Sequence, residues 1–151
     1  MTPEEKLAEL GITLPEPAAA VANYVPFVGS GNMLFVSGQV SMGSDGLILG
    51  RLGESMELEA GQEAARRCGI NLLAQCKAAV GELSNIVRVV KLGGFVNAAP
   101  SFVEIPQVIN GCSNLMVDVL GDAGRHARSA VACPTLPLGV AVEIDGIFEV
   151  A

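Results

Sequence analysis

Met33-Leu34-Phe35-Val36-Ser37-Gly38-Gln39-Val40 is the stretch on which the fold turns. It has strand composition, and its first four residues are apolar on both sides of the pleat. A strand of that kind is expected to be covered on both faces. Just before it, Gly29-Ser30-Gly31-Asn32 is a turn signal, so Tyr24 to Val28 reads as the other arm of a hairpin. After it, Ser44-Asp45-Gly46 marks a second turn, and Leu47 to Leu49 reads as a short third strand.

Further along, the apolar period becomes helical. In Leu58 to Val80 the residues Ala65, Cys68, Leu72, Cys76 and Ala79 form one stripe of mostly small side chains, with Gly69 beside it. Such a helix can lie close to a sheet. Glu63 and Arg67 are an i,i+4 pair for its wet side. Ile86 to Val96 is a β-branched strand. Phe102 to Leu120 is a second amphipathic helix, starting near Ile105-Pro106 and ended by Gly121 to Gly124. Ala127 to Cys133 and Ala141 to Val150 are the last two strands. At the N-terminus, Thr2-Pro3-Glu4-Glu5 is a capping box with Pro at the first helical position, and Gly11 stops the helix. The order ββ(β)αβαββ predicts an α+β sandwich: a mixed sheet with two helices on one face.

Composition narrows the function. At 151 residues the chain is one domain, with 1–17 as its N-terminal helix and connector. Half of the residues are hydrophobic and 17% are charged, against about 25% charged in an average domain. The surplus of apolar surface is expected to be buried against other copies of the chain. The net charge is -7, and the nine basic residues are scattered, with Arg66-Arg67 the one adjacent pair. That disfavours nucleic acid as a partner. Tyr24 is the only tyrosine and Trp is absent, so stacking platforms are poor. Met1 to Leu10 has no signal-peptide core, and no apolar run is long enough to span a bilayer. Cys68, Cys76, Cys112 and Cys133 lack zinc spacing and read as small buried residues. The expected compartment is the cytoplasm.

No P-loop, GxGxxG, GxSxG or HExxH is present. His126, the only histidine, is expected not to be a catalytic base. Two charged residues interrupt apolar strands: Arg128 in Ala127-Arg128-Ser129-Ala130-Val131, and Glu143 in Val140-Ala141-Val142-Glu143-Ile144. One reading is an ion pair closing a barrel or a subunit contact. The other is a site, in which the guanidinium grips a carboxylate and Glu143 orients a water. The residues leave both open.

Asn32 to Val40 resembles the N-x-L-x-x-S-G-Q strand of the Rid family of reactive-intermediate deaminases, also called YjgF-type. Ala127-Arg128-Ser129 resembles that family's A-R-S/T strand, and Leu136 to Ile144 resembles its L-P-x-G-x-x-V-E-I ending. The three matches occur in order, and the resemblance runs from about Tyr24 to Phe148. The resemblance implies a chorismate-mutase-like fold in homotrimers with a central β-barrel and clefts between subunits. It also implies hydrolysis of imines and enamines to keto acids and ammonia, without metal or bound cofactor. It assigns substrate carboxylate binding to Arg128, a backbone donor to Ala130, a pocket lining to Gly38, and the catalytic positions to Glu143, which orients a water, and to Tyr24, a hydrogen-bonding wall. The chain departs from the pattern at Val21-Ala22-Asn23, at Pro106, and in the longer segment Asn110 to Ala127, as a separate branch would. Two alternatives stand beside deamination. One is a non-catalytic module that binds keto acids through Arg128; the other is an RNA-cleaving or translation-inhibiting protein.

Overall fold

The stretch Met33 to Val40 forms β2 (Met33–Val40) of the computed structural model, which describes residues 1–17, 19 and 22–151. Its hairpin partner is β1 (Phe27–Ser30), antiparallel and in register from Phe27 opposite Val36 to Ser30 opposite Met33. The expected strand from Tyr24 starts three residues late because Ser37 captures the preceding chain. Its N–H donates to the Pro26 carbonyl at 2.9 Å and its Oγ to the Val25 carbonyl at 2.8 Å. The expected third strand is also corrected. The chain forms a separate two-stranded hairpin, β3 (Met42–Gly43) with β4 (Gly46–Leu47). It turns away at Ser41, whose buried hydroxyl donates to the Ile48 carbonyl at 2.9 Å.

Three helices and three further strands complete the order: α1 (Pro3–Glu9), α2 (Leu58–Val80), β5 (Ile86–Asn97), α3 (Ile105–Leu120), β6 (Ala127–Cys133) and β7 (Val142–Val150). The main sheet runs β1-β2-β7-β5-β6, with only β5 and β6 parallel. The two long helices pack side by side over one face. Their axes approach closely because of Gly111, where a Cβ would overlap the Gln62 backbone carbonyl of α2. The expected small-residue stripe is the buried side of α2: Ala65, Cys68, Leu72 and Cys76 have almost no exposure. Glu63 and Arg67 pair on the wet side at 3.3 Å. The N-terminal capping box forms as read, with Glu5 N–H on Thr2 Oγ1 at 3.1 Å and Thr2 N–H on Glu5 Oε2 at 2.8 Å. Glu4 fastens α1 to the far end of α2, accepting from Lys77 Nζ and the Leu83 N–H, both at 2.8 Å.

The core lies between the helices and the inward side of the sheet, around Leu34, Val36, Leu92, Val96, Ile144 and Phe148. Cys68, Cys76 and Cys112 are buried in it, whereas Cys133 is half-buried. The outer side of the sheet is different. Val28, Phe35 and Val131 on that side are 51%, 44% and 47% exposed, and Phe35 stands in one cross-strand row with Val28 and Ile147. The second layer expected over β2 is therefore not supplied by the described residues. No helix among the described residues is long and apolar enough to cross a membrane.

Candidate functional site

Between Val36 and Gln39 the β2–β7 register slips, so Ser37 and Gly38 form a bulge opposite β7. The bulge has a use. Gly38 faces Glu143, and a Cβ at this position would overlap the Glu143 carboxylate. Glycine therefore lets the carboxylate lie flat against the β2 backbone. Burial raises the Glu143 carboxyl above its usual range, and the neighbouring Asp145 carboxylate adds to the shift. Asp145 is raised by burial too, against opposition from the Gly93 N–H and from Lys91. A carboxyl held up in this way accepts and returns protons closer to neutrality than a free one.

Glu143 and Gly38 open onto a cavity of about 460 Å³ that Tyr24, Pro26, Ser37, Asn71 and Leu138 also line. Each wall has a holder. The two hydrogen bonds from Ser37 fix the segment after Tyr24. Asn71 of α2 donates its amide to the Val40 and Met42 carbonyls, at 3.3 and 3.1 Å. Leu138 is held in the left-handed region (φ 62), an uncommon and costly conformation for a leucine. Its loop is braced by Arg51, whose Nη2 donates to the Pro134 carbonyl at 2.6 Å and whose Nε donates to Asn97 Oδ1 at 3.1 Å. Asn97 in turn donates to the Val140 carbonyl at 3.1 Å. Of the stretch Val21-Ala22-Asn23, Val21 lies outside the described residues.

Arg128 is elsewhere. It stands across from Leu92, and Leu92 stands across from Gly146, so its side chain is on the helix side of the sheet. Glu143 stands across from Phe95, and Phe95 from Val131, on the outer side. No ion pair joins Arg128 to Glu143 within the chain, which corrects that reading for a single subunit. Instead Arg128 Nη1 donates to Asn110 Oδ1 at 2.8 Å and to Ser113 Oγ at 3.0 Å, and Nη2 donates to the Pro106 carbonyl at 3.2 Å. All three acceptors are uncharged, and no carboxylate among the described residues lies within ion-pair distance of this guanidinium. Ala130, two residues along the edge strand β6, shares its side of the sheet and packs partly against the core.

The five expected site residues thus form two groups. Glu143, Gly38 and Tyr24 share one cavity; Arg128 and Ala130 lie on the edge strand, on the opposite face. Sequence reasoning missed Arg128's partners. Asn110 and Ser113, three residues apart on one face of α3, are polar side chains that could have been matched to a neighbouring cation, whereas Pro106 contributes only its main-chain carbonyl. His126 sits beside them, its Nε2 2.8 Å from Ser113 Oγ and its Nδ1 2.6 Å from the Gly124 carbonyl. Among the described residues no three His, Cys, Asp or Glu side chains gather as a metal cage.

Residues 4–148 match the profile of the family described as YjgF/chorismate mutase-like, putative endoribonuclease. The protein TCP17 of Trypanosoma cruzi is 48% identical over 145 residues, covering 95% of this chain and 91% of the relative. The crystal structure of Atu1372 from Agrobacterium tumefaciens is 51% identical, with a TM-score of 0.93, over 99% of this chain and 92% of that one. RidA from an Antarctic Psychrobacter is 28% identical, with a TM-score of 0.61, over 89% of this chain and 94% of that one.

Proposed function

As the chain belongs to the YjgF/chorismate mutase-like, or Rid, family, we propose that it hydrolyses reactive imines and enamines of amino-acid origin to keto acids and ammonia. The site is a cleft between subunits of a homotrimer. Arg128 comes from one subunit; Glu143, Gly38 and Tyr24 come from its neighbour. One observation carries this reading: the uncompensated guanidinium and the raised carboxyl lie on opposite faces of one sheet. A single subunit cannot bring them to one small molecule, but two can. The apolar outer face at Val28, Phe35 and Val131 supports burial against another copy.

The chemistry follows from the groups. Arg128 holds the substrate carboxylate through its planar fork and fixes the C=N carbon in place. Glu143 takes a proton from a water as the oxygen bonds to that carbon, and the C=N electron pair moves to nitrogen. The same carboxyl then returns the proton to nitrogen. Glu143 then carries the hydroxyl proton to the same nitrogen, the C–N bond breaks as the carbonyl forms, and ammonia leaves. Tyr24 and the backbone of the Ser37-Gly38 bulge wall the substrate in. Ala130 contributes its main-chain N–H beside the carboxylate. The site works in this reading without metal or cofactor. An RNA substrate is opposed by the net charge of -7.

The test is the loss of enamine absorbance from freshly generated 2-iminobutyrate. The wild type should accelerate it, and Arg128→Ala should lose roughly 2–5 kcal/mol of transition-state or ligand binding. Tight binding of 2-oxobutyrate without any acceleration would instead make the chain a keto-acid sensor.

A further inference from the structure

Arg128 opens into a mouth of about 320 Å³ between α3 and β6, lined by Asn110, Ser113, Asn114, Val117, Arg125 and His126. In a chain of net charge -7, no acidic residue lines this mouth. The directions of its hydrogen bonds can be assigned. A carbonyl only accepts, so His126 Nδ1 carries the hydrogen shared with Gly124. In the neutral ring Nε2 is then bare and accepts from the Ser113 hydroxyl. Arg128 is always a donor, so Ser113 Oγ accepts from Nη1. The chain of donors runs Arg128 to Ser113 to His126 to Gly124, and it spends the Ser113 hydrogen on the ring.

A proton on Nε2 reverses one link. The ring then donates to Ser113 Oγ, which also receives Arg128, and both of the oxygen's lone pairs are occupied. The hydroxyl hydrogen must swing away from both partners, toward the open mouth. The mouth gains one hydrogen-bond donor and one positive charge, next to the guanidinium. We propose that Ser113 and His126 are positioning residues for Arg128, and that anions at Arg128 bind more tightly when His126 is protonated. This inference rests on the reading of Arg128 as a carboxylate anchor.

The other groups around the ring do not reproduce this behaviour. Arg128 and Arg125 keep their charge across the range in which imidazole titrates. So does Arg88 of β5, which donates to the Arg125 carbonyl at 3.0 Å. Asp122 is taken up by Arg125 Nε at 3.5 Å. Lys91 acts on Asp145, on the outer face of the sheet. Cys112, buried near Arg128, stays a thiol: burial pushes it up to about 12 despite the guanidinium. By linkage, a bound anion must also favour the protonated ring by the same factor.

The experiment is calorimetric affinity for 2-oxobutyrate, which stays ionised throughout, from about pH 5.5 to 8, where imidazole changes charge. Wild-type affinity should rise at the acid end by about fivefold or more. His126→Gln should give a flat profile, Ser113→Ala, which keeps the ring charge but loses the hydroxyl donor, a shallower one, and Ser113→Thr, which keeps the hydroxyl, the full slope. Should Ser113→Ala fail to fold, the glutamine and threonine variants carry the test. A flat wild-type profile, with Arg128→Ala still much weakened, would overturn this inference and leave the anchor in place. A slope that survives in His126→Gln would assign the titration to another group, and equally overturn it. Arg128→Ala binding as well as the wild type would remove the anchor reading, and this inference with it.

Discussion

Gly38→Ala separates function from stability. The added Cβ would overlap the Glu143 carboxylate oxygen and come within 3.1 and 3.2 Å of its Cδ and Cγ. The obstructing atoms are the end of a flexible side chain, so Glu143 can swing away. The displaced rotamer costs about 0.5–1.5 kcal/mol. The loss of glycine from the unfolded chain returns about 0.4–1 kcal/mol, since Gly38 does not use a left-handed conformation. The net change in stability should stay within about 1 kcal/mol. Turnover is another matter: moving the proton-handling carboxylate by an ångström or more should lower it on the order of a hundredfold. Affinity for 2-oxobutyrate should hold, because Arg128 is untouched. Melting curves, calorimetry and the enamine assay read the three quantities. In a Glu143→Gln background the same alanine should add little to the loss, because both changes act through one carboxylate. A Gly38→Ala protein with wild-type turnover would refute this reasoning, as would full additivity with Glu143→Gln.

Gly111→Ala should do the reverse. Its Cβ meets the rigid Gln62 backbone, so α2 and α3 must part, at a cost of about 1–3 kcal/mol in urea denaturation, with turnover per folded molecule unchanged. Glu143→Gln should raise the melting temperature, and by more at neutral than at acid pH. The folded carboxyl is raised above the ordinary carboxylate value, so its contribution to stability is complete below the unfolded value and is lost as pH rises through the folded one. An equal effect at both pH values would show that the carboxylate is not desolvated.

The periodic elements were legible. α2 runs from Leu58 to Val80, as the apolar stripe predicts, and β5 from Ile86 to Asn97, one residue past the β-branched run. What failed was set by single side chains acting at a distance. Ser37 holds the chain before Phe27 out of β1, and Ser41 turns the chain out of the sheet before Leu47. Glu143, Gly38 and Tyr24 could be grouped only through the family resemblance: Gly38 within the strand signals a bulge, but which residue it faces depends on the β2–β7 register. The separation of Arg128 from Glu143 has the same origin. Alternation within each strand could be read from sequence, but their relative facing depends on the β5–β6 and β5–β7 registers, and a one-residue slip would reverse it.

That separation is the centre of the account, and mixed subunits test it most directly. In the proposed homotrimer, Arg128→Ala and Glu143→Gln are each expected to be nearly inactive when pure. Co-expressed in equal amounts, they should form hybrids in which some clefts combine an intact Arg128 with an intact Glu143 from the neighbouring subunit. Random assembly makes that about a quarter of all clefts, so about a quarter of wild-type turnover should return. A mixture as inactive as its components would mean that both residues must act from one subunit, or that neither is part of the site.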